Sequence, residues 1–239
     1  MIGAVSRRVL ITGGNAGLGL ALAKKLARHH KLLLSGRKPE SEVAGILPRD
    51  AGYILADQSS PQQSAEALVR GVHDFGWDSL DNAVLNAGIG IVPDDGLDST
   101  EAIRRTLDVN LLAAMLQAKA LFPLLEKSRG TLTFIGSVAH SGSTTIPAYA
   151  ASKAGLHGLG RALRSEWKGK VPVQVLHPGP AKTEMHDKAG YDPGHMRALF
   201  LEANDVAAMM AAAIAARRSP VTLSWARYLC GGAFLGRRL

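Results

Sequence analysis

RVLITGGNAGLG, residues 8–19, joins a short apolar run directly to a glycine-rich turn. The run predicts a buried strand, and the residues after the turn predict a helix. Gly13 would allow the sharp turn, Gly17 would let a phosphate approach the backbone, and Gly19 would let the helix pack closely on the strand. Free N–H groups at the start of the helix would then face a pyrophosphate. The stretch therefore indicates a unit that binds a dinucleotide.

The same loop has two alternative interpretations. It could be a glycine turn with no ligand, which the pattern alone does not exclude. It could also be an ATP-binding P-loop, but no Lys-Ser or Lys-Thr pair ends it, so no lysine would reach a terminal phosphate. The position between a strand and a helix favours the dinucleotide.

Similar apolar runs recur along the chain between helix-like segments. They are nearly continuous in apolar residues, which is typical of parallel strands covered on both faces. We predict strands at 8–12, 31–35, 52–56, 82–86, 131–136 and 171–177, with 219–224 as a seventh. We predict helices at 17–29, 61–74, 99–126, 147–168 and 204–217. The alternation predicts an α/β fold, a doubly wound Rossmann-like parallel sheet in three α/β/α layers, with residues 1–239 forming a single domain.

The composition is that of a globular protein, with 46% hydrophobic and 20% charged residues among 239. A single cysteine, Cys230, excludes an internal disulfide and favours a reducing, cytoplasmic location. The eight histidines show no metal-ligand spacing, so we expect them in surface or packing positions and expect no metal site. The N-terminal apolar run is too short for a secretory signal, and no apolar run reaches the roughly 18 residues of a membrane helix.

The formal net charge of +8 raises the question of a nucleic-acid or membrane partner. The basic residues are scattered as pairs with little aromatic interleaving, which is typical of a solvated basic surface. Phosphate-bearing small molecules are therefore better candidates than nucleic acids.

The end of the second predicted strand, LLLSGRKPE at 32–40, bears on the choice of dinucleotide. NAD sites usually place Asp or Glu there to bind the ribose 2′-hydroxyl, whereas this stretch has Arg37 followed by Lys38. A guanidinium can bind a 2′-phosphate, which a carboxylate would repel. We therefore predict that NADP(H) is preferred over NAD(H). The alternative is that Arg37 lies on a merely solvated turn.

Six motifs in a fixed order then resemble the short-chain dehydrogenase/reductase family in its single-domain form. They are TGGNAGLG (12–19), LNAG (85–88), DVNL (108–111), IGSVAH (135–140), YAASK (149–153) and HPGPAKT (177–183). The resemblance covers roughly residues 7–225. It implies an NADP(H)-dependent enzyme that interconverts a carbonyl compound and an alcohol by hydride transfer.

Matching positions imply the site residues. The resemblance assigns catalysis to Asn110, Ser137, Tyr149 and Lys153. It assigns cofactor binding to Gly13, Asn15, Gly17, Leu18, Gly19, Arg37, Asp57, Asn86, Ala87, Gly88, Tyr149, Lys153, Pro178, Gly179 and Thr183. In the family, Asp57 would accept the adenine amino group and Thr183 would lie near the nicotinamide carboxamide.

Physical chemistry supports the catalytic roles separately. A phenol has a pKa of about 10, and an ammonium about 4 Å away could lower it toward neutrality, so Lys153 would activate Tyr149 as a general acid and base. Ser137, after a strand end, would hydrogen-bond the substrate oxygen. Asn110 interrupts an apolar helical stripe and would hold a proton-relaying water. This stripe comprises Ile103, Leu107, Leu111, Ala114 and Ala118.

Each of these side chains also has a purely structural interpretation. Tyr149 and Lys153 could form an ordinary helix surface pair, Ser137 could be a strand-end turn residue, and Asn110 could bend or cap its helix. A protein that binds NADP as a regulatory or interaction module, without turnover, is the alternative function.

Two segments concern the substrate and the partners. The connection at about 178–204 resembles a binding loop. Its apolar residues indicate either a hydrophobic substrate or ordinary packing: Met185, Tyr191, Met196, Leu199 and Phe200. The atypical tail at 225–239 would pack on this loop or on a neighbouring subunit, with a membrane-surface contact as the less favoured option. The resemblance implies a homodimer or homotetramer formed through the helices that carry Asn110 and Tyr149. Gly155, Gly158 and Gly160 would permit the close helix approach that such a contact needs.

Overall fold

The computed structural model describes residues 6–92, 98–143, 145–190, 194–217 and 219–223. Its strands are β1 (Arg8–Thr12), β2 (Lys31–Gly36), β3 (Gly52–Leu55), β4 (Asn82–Leu85), β5 (Thr131–Ile135), β6 (Val173–Pro178), β7 (Ala181–Lys182), β8 (Leu201–Glu202) and β9 (Val221–Leu223). Its helices are α1 (Gly17–Leu26), α2 (Glu40–Val43), α3 (Pro61–Asp74), α4 (Thr100–Leu107), α5 (Ala113–Ser128), α6 (Pro147–Glu166), α7 (Glu184–Ala189) and α8 (Ala203–Ala215).

Seven strands form one parallel sheet in the order β3-β2-β1-β4-β5-β6-β9. β1 pairs with β2 on one side and with β4 on the other, so the strand order reverses direction at β1. In such sheets the crevice beyond the carboxyl ends, at the point of reversal, is where ligands bind. The predicted doubly wound, Rossmann-like fold is confirmed, including the seventh strand.

Two hydrophobic clusters cover the two faces of the sheet. One face packs against α3, α5 and α6, around Leu68, Leu121 and the fully buried Phe134 of β5. The other face packs against α1 and α8, around Leu22 and Met210. Both faces are covered, so the strands are apolar on both sides, as the nearly continuous runs in the sequence indicated.

The predicted helix at 99–126 is interrupted by a π-helical turn. α4 ends at Leu107, the turn spans Asp108–Leu112, and α5 continues from Ala113. The extra residue in the turn shifts the face that points inward, because a π turn breaks the 3.6-residue period. Our prediction that one apolar stripe is buried along the whole helix is therefore wrong for its first half. There Ile103 is 38% exposed, and Thr106 is buried instead.

The structure adds elements that the sequence patterns did not indicate. β7 and β8 form a separate two-stranded parallel sheet, with Ala181 opposite Leu201. These two strands and α7 organise the connection after β6, where we expected a binding loop. In this connection Tyr191 lies outside the described residues, as does the C-terminal tail at 225–239.

The helical stretch Thr100–Ser128 is long and apolar enough, by length and composition alone, to cross a membrane. However, 44% of its most apolar 18-residue stretch is buried inside the fold. There α5 packs against α3, and α4 packs against α6. A core helix of an α/β protein passes the same test, so this feature is weak evidence for a membrane span.

The glycines of α6 have different neighbours. A Cβ on Gly160 would collide with Cγ2 of Val175 in β6, and a Cβ on Gly155 would lie 2.8 Å from a methyl group of Leu111. A Cβ on Gly158 would meet no atom within 4 Å. Two of the three glycines that we assigned to contacts between subunits thus allow close packing within the chain. This packing sets the position of α6 on the sheet.

We predict that Gly160→Ala lowers the free energy of unfolding by about 1–3 kcal/mol, because the added methyl group overpacks the contact with Val175. Urea unfolding at constant protein concentration measures the change. Gly158→Ala is the matched control on the same helix, and it should raise the free energy of unfolding by about 0.5–1 kcal/mol through helix propensity. Equal effects of the two substitutions would contradict this account.

Candidate active site and cofactor cleft

The loop between β1 and α1 has the backbone that its glycines predict. Gly13 and Gly17 adopt φ angles of +62° and +50°, which L side chains rarely tolerate. A Cβ on Gly19 would collide with the carbonyl oxygen of Gly13. A Cβ on Gly17 would meet only Thr183, at 3.7 Å, and so would fill the space between this loop and the segment after β6. The loop therefore forms one wall of an open cleft.

Hydrogen bonds join this loop to the end of β4. The hydroxyl of Thr12 accepts bonds from the backbone N–H groups of Asn86 and Ala87, at 3.0 and 3.1 Å. The amide of Asn86 donates to the carbonyl oxygens of Thr12, at 3.0 Å, and of Gly13, at 3.3 Å. The side chain of Asn86 thus holds the glycine loop in place. Thr12 was absent from our predicted site, although it begins the TGGNAGLG motif.

The end of β2 lies beside the glycine loop. A Cβ on Gly36 would collide with the side-chain oxygen of Asn15, so Asn15 lies directly over this strand end. The ammonium of Lys38 pairs with Glu42 at 3.2 Å. Arg37 is exposed and makes no hydrogen bond or ion pair with any residue that the structure describes. A free guanidinium is therefore available at the edge of the cleft.

The remaining predicted cofactor residues surround this cleft at different depths. Asp57 is exposed after β3 and accepts a hydrogen bond from Ser59 N at 2.9 Å. Leu18 is half-buried and packs on the core beneath α1. Pro178 is buried at the end of β6, and Gly179 N donates to the Leu223 carbonyl at 2.8 Å. Leu18 therefore has a packing role in addition to any contact with a ligand.

The four predicted catalytic side chains come together at the same edge of the sheet. Tyr149 and Lys153 lie on α6 and are 7% and 3% exposed, so the surface-pair interpretation is wrong. The Lys153 ammonium lies over the Tyr149 ring, 5.5 Å from its centroid, and donates to the Ile135 carbonyl at 3.0 Å. Ser137 follows β5 and hydrogen-bonds Tyr149.

Asn110 occupies the π turn and is fully buried. Its amide donates to the Ile89 carbonyl at 2.9 Å and to the Ser152 hydroxyl at 3.0 Å, and its oxygen accepts from Ile89 N at 2.8 Å. A Cβ on Gly88 would lie 3.2 Å from both Asn110 Oδ1 and Lys153 Nζ. Asn110 thus connects the β4 loop to α6, a structural role that the water-holding role in our prediction did not include.

Burial governs the protonation of the two groups on α6. Burial raises the pKa of Tyr149, and the hydrogen bond from Ser137 opposes this shift. Burial also lowers the pKa of Lys153 to about 8. We expected the ammonium to lower the pKa of Tyr149, so the direction found is the opposite. The reason is that desolvation disfavours the phenolate, and the ammonium itself is desolvated.

The site also contains residues that the motif analysis missed. Ser152 lies within YAASK, is fully buried, and links Asn110 to the Tyr149 carbonyl, to which its hydroxyl donates at 2.7 Å. Its small polar side chain at a buried helical position was the available signal. His140 and His177 lie within two of the quoted motifs, IGSVAH and HPGPAKT, and contact the Ser137 carbonyl.

Comparisons with known proteins agree with this architecture. The sequence model described as short chain dehydrogenase matches residues 7–193. An uncharacterized oxidoreductase of Mycobacterium tuberculosis is 30% identical over 204 residues, 79% of each chain. The 3-oxoacyl-[acyl-carrier-protein] reductase MabA of the same organism is 31% identical over 185 residues, 76% of this chain and 72% of MabA.

A solved structure gives the same result. A short chain dehydrogenase from Burkholderia cenocepacia, in complex with NADP, is 30% identical and superposes with a TM-score of 0.76 over 92% of this chain and 95% of that one. The chain therefore belongs to the short-chain dehydrogenase family, a family of oxidoreductases.

We predict that Asn110→Ala lowers the free energy of unfolding by about 2–4 kcal/mol, because it removes a fully buried amide and leaves the partly buried N–H and C=O groups of Ile89 without this partner. Chemical denaturation measures the loss. The matched control is Gln117→Ala. Gln117, on α5, is a buried amide like Asn110, but among the described residues its side chain donates to Ser64 Oγ alone, at 3.1 Å. A loss no larger than that of the control would contradict the bridging role.

Proposed function

We propose that this protein is an NADP(H)-dependent oxidoreductase that interconverts a carbonyl compound and an alcohol, with Tyr149 as the general acid and base. The observation that carries the proposal is the convergence of Ser137, Tyr149 and Lys153 at the same sheet edge as the glycine loop. In the reducing direction Tyr149 donates its proton to the carbonyl oxygen, and in the oxidising direction it accepts the hydroxyl proton.

The raised pKa of Tyr149 keeps its phenol protonated at neutral pH, which is the state that the reducing direction requires. A tyrosine that holds its proton at neutral pH is ready to donate it to a carbonyl oxygen. Ser137 lies within hydrogen-bond reach of the same phenol, so one substrate oxygen can contact both hydroxyl groups. Ser137 would orient this oxygen and stabilise the negative charge that develops on it.

Lys153 would stabilise Tyr149 after the proton has left. With a pKa of about 8, its amine is mostly protonated at neutral pH. The ammonium lies over the ring, so it can stabilise a phenolate through a short path of low dielectric. Its bond to the Ile135 carbonyl holds the amine in this position.

The residues present fit a nicotinamide dinucleotide. The absence of a side chain at Gly17, the positive φ angles of the loop and the nearby start of α1 suit a pyrophosphate. Tyr149 and Lys153 would contact the nicotinamide ribose end of the cleft, with Thr183 on the opposite side. When bound, the cofactor supplies or accepts the hydride. The NADP complex of the Burkholderia cenocepacia relative supports this assignment.

The preference for NADP(H) rests on the end of β2. Arg37 is exposed and unpaired among the described residues, whereas Lys38 already pairs with Glu42. A 2′-phosphate beside the free guanidinium would form charge-assisted hydrogen bonds without breaking an existing ion pair. Asp57, farther along the edge, would accept the adenine amino group.

The substrate class follows from the relatives and from the cleft. MabA is named as a 3-oxoacyl reductase, and another relative in Mycobacterium tuberculosis, 31% identical over 192 residues, is named a hydroxysteroid dehydrogenase. Both names describe carbonyl or hydroxyl groups on largely apolar molecules, so we propose a hydrophobic ketone. Met185 is half-buried, so its side chain can contact an apolar substrate in the cleft. Phe200 is 7% exposed and belongs to the core.

We further propose a single-domain, cytoplasmic homo-oligomer. Leu112 and Met115 are 41% and 42% exposed at the start of α5. Such apolar exposure on a long helix is suited to a contact with a second copy of the chain. Sedimentation analysis distinguishes a monomer, a dimer and a tetramer.

We predict that Tyr149→Phe lowers kcat by about 10²–10⁴-fold, because the variant has no proton to transfer. NADPH fluorescence should show nearly unchanged cofactor affinity, which separates loss of chemistry from loss of the fold. A panel of ketones, including 3-oxoacyl thioesters and steroids, followed by NADPH absorbance, provides the substrate. Retention of most of the activity would exclude the proposed mechanism and leave the non-catalytic alternative.

We predict that Arg37→Gln weakens NADPH binding by about 10–100-fold, because a charged hydrogen bond contributes about 1.5–3 kcal/mol. NADH affinity should remain unchanged, since NADH has no 2′-phosphate. Arg28→Gln removes an equally exposed positive charge away from the cleft and is the control. An equal loss for both cofactors would contradict the assignment of Arg37.

A further inference from the structure

His140, His157 and His177 come together behind Ser137, and we call them the histidine cluster. One ring nitrogen from each lies within 4.8 Å of those of the other two. His140 lies on the short helical turn Val138–Ser141, His157 on α6 and His177 on β6. Three separate segments therefore supply the cluster, which explains why no ligand spacing is visible in the sequence. The proposed transfer of hydride and proton uses none of these side chains.

The Ser137 carbonyl determines the tautomers of two of these rings. It lies 2.8 Å from Nδ1 of His140 and 3.2 Å from Nδ1 of His177. A carbonyl oxygen only accepts hydrogen bonds, so both Nδ1 atoms carry the proton. In a neutral imidazole the other nitrogen then has a free lone pair. Nε2 of both rings is therefore available as an acceptor.

The third ring is already close to one of these lone pairs. Since Nε2 of His177 carries no proton, Nδ1 of His157 donates its N–H to it, at 3.0 Å. The rings of His140 and His177 are stacked, with centroids 4.0 Å apart. Gly136 makes this arrangement possible, because a Cβ there would lie 2.5 Å from Nδ1 of His177. The glycine lets the ring approach the backbone that carries Ser137.

We propose that the histidine cluster is a binding site for a divalent transition-metal ion of the zinc type, with Nε2 of His140, Nε2 of His177 and Nδ1 of His157 as ligands. The ion replaces the proton on Nδ1 of His157, and Nε2 of the same ring becomes the protonated nitrogen. Metal-binding histidines typically donate their second N–H group to a backbone carbonyl, which fixes the tautomer and orients the ring. Here a single carbonyl does this for two rings. That feature distinguishes the cluster from histidines that merely pack together.

The distances are suited to such an ion after a small rearrangement. Zinc–nitrogen bonds of about 2.0–2.1 Å place tetrahedral ligands about 3.4 Å apart. The pair formed by His157 and His177 is already at 3.0 Å. The stacked rings, at 22° to each other, must tilt so that one ion lies in both ring planes. His140 can supply this motion because it is half-buried on a short turn, and a water would complete the coordination.

The surroundings determine which ions fit. Three neutral imidazoles suit Zn²⁺, Co²⁺, Ni²⁺ and Cu²⁺, whereas Mg²⁺ and Ca²⁺ prefer oxygen ligands. Arg161 and Arg164 lie near His157, and their charges oppose any cation. Only an ion that forms strong bonds to nitrogen would overcome this repulsion. A bound ion would also restrain the backbone at Ser137, through the two rings that donate to its carbonyl.

Cobalt provides a direct test, because four-coordinate Co²⁺ absorbs visible light much more strongly than hydrated Co²⁺. The probe is Co²⁺ alone, added to tag-free, chelator-treated full-length protein at neutral pH. We expect saturation at one equivalent, with the spectrum of a four-coordinate site. Zn²⁺ should then abolish the absorption by displacement, and excess Mg²⁺ should leave it unchanged.

Variants assign the site to these residues. His157→Gln should weaken Co²⁺ binding at least about tenfold, whereas His73→Gln, an exposed histidine on α3, should have no effect. Circular dichroism and NADPH affinity check that His157→Gln is folded. Tyr149→Phe should bind Co²⁺ like the parent protein, so this test is independent of the proposed activity. Binding below one equivalent, a spectrum of hydrated Co²⁺, or equal effects of the two histidine variants would overturn the proposal.

Discussion

The pairing of β1 with β2 on one side and β4 on the other is the constraint on which the site depends. It brings the loops after β1 and β4 to the same edge of the sheet, and the chain then continues from them in opposite directions. Hydrogen bonds between Thr12 and Asn86 then hold the two loops together. Thr12 and Asn86 are far apart in the sequence, but the pairing of β1 with β4 already brings them together. The cleft is thus a consequence of the order of the strands.

The helix α6 positions the proposed catalytic pair, Tyr149 and Lys153, through its packing on the sheet. Gly160 allows contact with β6, and Asn110 and Ser152 connect the helix to the β4 loop. The result is a tyrosine and a lysine that are both desolvated. Burial makes each charged form less favourable, so it raises the pKa of Tyr149 and lowers that of Lys153. A phenol that keeps its proton at neutral pH and a lysine with a pKa of about 8 are compatible with the proposed proton transfer.

The segment after β5 serves two neighbouring groups of side chains. The hydroxyl of Ser137 faces the phenol, and its carbonyl oxygen accepts from the rings of His140 and His177. One residue therefore connects the proposed catalytic site with the histidine cluster. Any change in the cluster that moves this carbonyl would also change the position of the hydroxyl. The proposed catalytic site uses the hydroxyl of Ser137, and the histidine cluster uses its carbonyl oxygen.

The amino-acid sequence by itself determined the class of fold and most of the site. Continuous apolar runs indicated a parallel sheet, and the motifs named Tyr149 and Lys153, because periodicity and local turn chemistry are properties of short segments. Other features depend on contacts between distant segments. The π turn rotates the buried face of its helix and turns Asn110 toward Ile89. Three histidines that lack any spacing pattern come together, two of them on one carbonyl oxygen. Only the tertiary structure decided these features and the direction of the pKa shifts, because desolvation and hydrogen bonding depend on the residues that the fold brings together.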